Sequence, residues 1–415
     1  MVEGMNGRIL IVICSLLGVI PLRMQAEGDS VAVFDRKALW KTVRTYVKAD
    51  NYSKADETLR EAFAAHAEAY ADAELVRMEM DAQWQLALAE NKKLFLNSKP
   101  DTAAYFARVL ATTQYALRCD SLDQLPDEHG RTRPRYTKEL GERLRGCRGN
   151  LCSGGKYFYK RGEYASAWTY LDLYLRSRHN HLLSGRGVPS DTPDSVAVAR
   201  MATISAFSAG RPNDALRYVA LAEQDTAIRC SLMEIEARAH GQLGERSERM
   251  EVVTRAHALY PAHDYFAMAL IHHHDSLAEY SEALDVIHQT LAAGGDGRHY
   301  AFLAGRMYEL LGQLDSAAVS YREGLDRAPD DAPLLAALGM LALRQATLLR
   351  SQTTAAALAS SDDVRQHLQA YYESAADYLG RARANAPQRP ELWKEGLREA
   401  YFRLNRGQDL QSLEQ

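Results

Sequence analysis

The densest run of potentially reactive side chains is His272-His273-His274-Asp275, with His257 and His263 a few turns upstream. Imidazole is a common zinc ligand, and a zinc site needs three or four donors converging on one point. Consecutive helical residues point about 100° apart, so the triplet cannot converge by itself, and it lacks the His-x-x-x-His spacing that could. His-Glu-x-x-His, the zinc-protease arrangement, occurs nowhere in the chain. The Gly-x-x-x-x-Gly-Lys-Ser/Thr phosphate loop and the Gly-x-Ser-x-Gly nucleophile elbow are missing too. Gly294-Gly295-Asp296-Gly297 follows no strand and reads as a turn. The sequence therefore assigns no metal, no cofactor and no catalytic set. A metal-dependent or catalytic role at His272–His274 stands as the alternative to a binding role.

A second set of charged residues acquires meaning only through spacing. Within 298–331 stand Gly305, Tyr308, Gly312, Ala317, Tyr321, Gly324 and Pro329. Stepping back 34 residues at a time, the Gly312 slot holds Ala278, Gly244 and Gly210. The Ala317 slot holds Ala283, Arg249 and Ala215, and the Pro329 slot holds Gly295, Pro261 and Ala227. Four units thus abut without a gap: 196–229, 230–263, 264–297 and 298–331.

A helix–turn–helix period of 34 residues, with small, aromatic, small and Pro slots in this order, resembles the tetratricopeptide repeat (TPR) family. The resemblance implies an all-α fold, a right-handed superhelical solenoid of paired helices. It implies binding of other proteins and no enzymatic activity. Small residues such as Gly305 and Ala317 are expected where paired helices cross, Tyr308 and Tyr321 in the wider gaps, and Pro329 at a helix end. Arg249 breaks the small-residue rule and predicts a local irregularity.

The remaining chain keeps the helical rhythm less regularly. Residues 27–147 read as repeat-like helices: a unit at 36–69, a long helix over 70–97, a second helix capped by Asp101 or Thr102, a broken polar loop at 121–135 and a short helix over 136–147. A repeat follows at 148–181, then a Gly/Pro/Ser/Asp insertion at 182–195. After the four contiguous units, 332–389 reads as a repeat whose two helices are lengthened by an insertion at 345–370, joined near 351–363. Residues 390–415 read as a polar capping helix.

At the N-terminus, an apolar run over 9–22 is too short for a comfortable membrane span. It fits a secretory signal peptide over 1–26. That predicts an exported protein, periplasmic or otherwise associated with a bacterial cell envelope, with no integral span once the signal is removed. An uncleaved anchor, and a cytoplasmic adaptor of the same repeat type, are the other readings. Cys119, Cys147, Cys152 and Cys230 remain; an even count in an exported chain permits disulfides, with Cys147 and Cys152 close in sequence, but the four read better as small buried hydrophobes. A formal net charge of −4 over 415 residues points to no nucleic acid partner.

In the TPR family the first helices of successive repeats line the concave face, so equivalent residues form rows. One row is Lys156, Ile204, Arg238, His272, Arg306 and Met340. The row one turn before it contains Arg200 and Phe302, and the row three residues after it contains Tyr159 and Phe207. Lys156, Arg200, Arg238, His272 and Arg306, with Tyr159, Phe207 and Phe302, are the expected contacts to a protein or peptide partner of some acidic character. The carboxylate clamp of the family's chaperone adaptors is not matched, because Arg238, Ile204 and Ile235 stand at its Asn places.

Overall fold

The computed structural model describes residues 34–96, 98–183 and 193–413, and among them every regular element is a helix. The signal peptide expected at 1–26 and most of the insertion at 182–195 lie outside the described residues. The chain divides into two compact units, with the boundary between Arg143 and Leu144.

The first unit contains α1 (Arg36–Lys48), α2 (Tyr52–Ala65), α3 (Ala67–Tyr70), α4 (Ala73–Phe95), α5 (Thr102–Asp123) and the start of α6 (Thr137–Lys160). Side-chain caps begin several of these helices: Asp35, Asn51, Asp72 and Asp101 each accept a backbone N–H of the first turn. Val43, Ala55, Leu59, Leu75 and Ala82 are fully buried and share one apolar cluster. A polar network runs through the interior. The Gln83 amide donates to Asp56 at 2.9 Å and to Glu79 at 2.6 Å, and Arg108 donates to Asp56 at 2.7 Å.

The second unit is a succession of antiparallel helical hairpins. The end of α6 pairs with α7 (Tyr164–Ser177), and α8 (Pro193–Ser208) with α9 (Pro212–Leu216) and α10 (Val219–Ala222). Three regular hairpins follow: α11 (Arg229–Leu243) with α12 (Arg246–Leu259), α13 (Asp264–Ser276) with α14 (Tyr280–Ala292), and α15 (Gly297–Leu310) with α16 (Leu314–Arg327). The turns use a left-handed residue at one recurring slot. Gly210, Gly244 and Gly312 have φ of 70°, 77° and 74°, and Ala278 adopts φ 57° in the same place. Each hairpin buries its apolar stripe against the next, so Phe266, Ile271, Ile287 and Tyr300 belong to one continuous core.

The long pair is α17 (Ala332–Gln352) with α19 (Asp362–Asn385), bridged at the tip by α18 (Ala355–Ser360). By length and apolarity α17 could cross a membrane, but Leu335, Ala342 and Ala346 are buried in one core with Tyr372, Ala375 and Leu379 of α19. The chain ends with α20 (Lys394–Arg403) and α21 (Gly407–Gln411).

Three expectations are corrected. The helix expected at 136–147 and the first helix of 148–181 are a single helix, α6. Leu140, Leu144, Cys147 and Leu151 form one uninterrupted buried stripe at helical spacing, so nothing breaks it. The second helix of 196–229 is split into α9 and α10. Buried Asp172 of α7 accepts from Arg217 at 2.7 Å and from the Tyr218 hydroxyl at 2.9 Å, and these two residues are the break. The interruption thus falls where two side chains anchor on a buried carboxylate by charge-assisted hydrogen bonds. The capping helix expected over 390–415 is instead two short helices turning at Asn405, whose φ is 56°.

Candidate basic grooves on the first helices

The structure brings three of the eight expected contact residues together. Lys156 and Tyr159 of α6 and Arg200 of α8 line a groove of about 380 Å³, with Lys160, Met201, Ile204 and Ile228 completing it. The groove lies between the first helices of neighbouring hairpins. Its walls are cationic and its floor apolar. Arg200 is steadied by Asp225 at 2.7 Å. No carboxylate of the described residues reaches Lys156 or Lys160, whose charges face water. Tyr159 packs edge-on against Tyr164, with ring centroids 5.9 Å apart, which fixes the orientation of its hydroxyl rim.

The other five residues are placed differently. Arg238 is exposed, but it pairs with Glu234 one turn back and lies over the Tyr265 ring, 5.0 Å from its centroid. Its charge is largely spent within the chain. Phe302 packs on Tyr321 at 5.9 Å between ring centroids and is half-buried, which makes it in part a core residue. Phe207 is half-buried on α8 and lines none of the grooves described here. Arg306 is exposed on α15 and lacks a carboxylate partner among the described residues. His272 belongs to a second groove, of about 440 Å³, lined from α11 by Gly241, from α12 by Arg246, Arg249 and Met250, and from α13 by Ala269, His272 and His273.

Apart from His272 and His273, the histidines go to separate places. His274 Nδ1 lies 2.8 Å from Glu279, and His240 Nδ1 repeats that contact with Glu245 at 2.7 Å, so both serve their own hairpin turn. His257 is buried beside Thr290 at 3.3 Å, and burial pushes its imidazole below the ordinary range. Among the described residues, no group of three or more His, Cys, Asp or Glu side chains is placed to hold a metal ion.

Sequence reasoning missed Lys160, Met201 and Ile228 in the first groove. Lys160 was recoverable, since it follows Lys156 by one helical turn. Ile228 was not, because it precedes α11 and belongs to no row of first-helix positions.

No family model matches the chain, and no curated protein matches it. Among solved structures it is similar to the C-terminal part of a TPR repeat-containing protein from Cytophaga hutchinsonii, at 11% identity over 62% of this chain and 91% of that one, with a TM-score of 0.40. It is similar to a tetratricopeptide repeat protein from Parabacteroides merdae, at 15% identity over 61% and 98%, with a TM-score of 0.34. It is also similar to the MamA protein, at 18% identity over 45% and 93%, with a TM-score of 0.33. The helical-hairpin assignment rests on the chain's own elements.

Proposed function

We propose that this chain is a non-catalytic protein-interaction scaffold, exported to a bacterial cell envelope, that holds an extended peptide segment of a partner in the groove between α6 and α8. The observation that carries this reading is the groove itself. Lys156, Lys160 and Arg200 surround a floor of Met201 and Ile204, which suits a peptide alternating acidic and apolar side chains. Unneutralised ammonium groups at the rim set association rate and salt dependence, and the apolar floor sets residence time. Arg306 extends the cationic character further along the first helices. Export rests on the apolar run at 9–22 followed by Ala26.

A metal-dependent role at His272–His274 finds less support, because His274 is engaged by Glu279 and, among the described residues, no third His, Cys, Asp or Glu joins His272 and His273 to hold an ion. The test of the scaffold reading is capture from an envelope extract by the parent chain and by a Lys156→Glu/Lys160→Glu variant. Loss of one specific partner in the variant supports the groove. Equal capture by both removes it. N-terminal sequencing of the mature protein tests export: a start after Ala26 supports it, and a retained Met1 in a cytoplasmic fraction opposes it.

A further inference from the structure

Gly241 and Arg249 exchange sizes relative to the neighbouring hairpins. The slot of Arg249 holds Ala215, Ala283 and Ala317 elsewhere, and the slot of Gly241 holds Phe207, Asp275 and Glu309. In the structure the two substitutions are one event. A β-carbon on Gly241 would touch the Arg249 side chain at 3.4 Å, so the arginine lies across the space that the glycine leaves open. Its guanidinium is thereby carried into the groove lined by Arg246, His272 and His273.

The exchange also removes a negative charge. Two hairpins further on, Glu309 occupies the Gly241 slot and accepts from Arg344 at 3.2 Å and from Tyr321. At Gly241 no side chain can do this. No carboxylate of the described residues lies within ion-pair distance of Arg246 or Arg249, and neither guanidinium donates a hydrogen bond within the described chain. The rings of His272 and His273 make no hydrogen bond there either, and Nδ1 of His273 is shielded from water without a partner. Most other arginines near this groove are paired, as Arg238 is with Glu234 and Arg255 with Glu236 and Glu223. Two guanidinium forks and two imidazoles thus converge on one cavity with their hydrogen-bonding capacity unspent.

We propose that this groove binds a phosphate-type oxyanion, free or borne on a peptide side chain. Guanidinium forks match the oxygens of phosphate in pairs, and a dianion meets two permanent cations with imidazole N–H groups to satisfy the remaining lone pairs. The site is independent of the peptide groove at Lys156 and Arg200, and its test needs no protein partner.

The experiment titrates inorganic phosphate into the full chain at constant ionic strength, read by calorimetry and by the imidazole 15N resonances of His272 and His273. Arg249→Ala is the informative variant, because alanine is what the other hairpins carry, and its circular dichroism and melting should match the parent. Expected is saturable binding by the parent that moves both histidines, weakened at least tenfold in Arg249→Ala and only partly in Arg249→Lys. A phosphoserine peptide binding more tightly than inorganic phosphate makes the ligand peptide-borne; weaker binding makes it the free anion, and either supports the site. Non-saturating shifts, shifts reproduced by chloride, or equal binding by Arg249→Ala would overturn the proposal.

Discussion

Gly339 of α17 faces Leu379 of α19 so closely that a β-carbon on the glycine would overlap the leucine side chain, and Gly305 meets the ring of Tyr321 in the same way. The insertion at 345–370 separates the first pair and not the second. The contact survives because the added residues extend both partners together. The helices α17 and α19 have 21 and 24 residues, where α15 and α16 have 14 each. The hairpin is therefore an ordinary repeat grown outward from its tip, with the glycine crossing kept as its base.

That crossing predicts a steep size dependence. Gly305→Leu has no space beside Tyr321, and overpacking of this kind costs about 1–3 kcal/mol or more. Gly312→Ala, at a turn with φ 74°, leaves the crossing intact and should cost less, about 1–2 kcal/mol. Chemical denaturation followed by circular dichroism ranks the two, and equal midpoints for parent and Gly305→Leu would place Gly305 away from a crossing.

Ala278 offers the opposite change. It holds φ 57° in the slot that Gly210, Gly244 and Gly312 fill elsewhere. A left-handed alanine costs about 1–2 kcal/mol, and glycine recovers that while giving back roughly 0.5–1 kcal/mol of unfolded-chain entropy. Ala278→Gly should therefore stabilise by up to about 1.5 kcal/mol, seen as a higher denaturant midpoint. A lower midpoint would mean the alanine contributes packing that the open turn does not show.

These slots also mark how far the sequence could be read. Gly244 and Gly312 announced their turns because glycine is the residue that tolerates a left-handed backbone. The period then located α11 through α16 and the joint near 351–363. What escaped was decided by single long-range contacts. The break between α9 and α10 coincides with side-chain bonds to Asp172, far back in the chain, and no local pattern in Arg217-Tyr218 announces it. Arg249 was legible as an exception to the repeat, but its compensation by Gly241 required the two helices to be seen side by side. Of the expected contacts, Lys156, Tyr159 and Arg200 converge, whereas Arg238 is engaged by Glu234, an i,i+4 pair that spacing does offer, and Phe302 by Tyr321 of the next helix, which spacing alone does not reveal.

In the first unit, burial pushes the Glu79 carboxyl from its ordinary value of 4.5 up to about 9, reinforced by Asp56 and opposed by the Gln83 amide. A group raised in the folded state contributes stability that is complete below its unfolded value and disappears as pH rises through the folded one. The first unit should therefore weaken progressively between about pH 4.5 and pH 9. Glu79→Gln keeps the shape and removes the titration. Denaturant midpoints of parent and variant should converge near pH 4 and separate at pH 9, with the variant the more stable. Parallel curves across this range would show that Glu79 does not titrate in the fold.

The tip of the long hairpin should be its weakest point. Between Gln352 and Asp362 the chain turns through short α18, and exposed Gln352 and Thr354 lead into it. Limited proteolysis should cut first within 351–363, leaving two fragments that stay associated through α17 and α19. First cuts within 298–331 would contradict the assigned stability order.

The most direct test of the scaffold reading is photocrosslinking in intact cells from a benzophenone side chain at Ile204, on the floor of the groove beside Lys156 and Arg200. The account predicts one dominant adduct, identified by mass spectrometry as a protein carrying an acidic, partly apolar segment, with its yield falling sharply when Lys156 and Lys160 are reversed to Glu. No adduct from Ile204, together with a strong one from the same probe at Gln352, would contradict it and make the projecting hairpin the binding element instead.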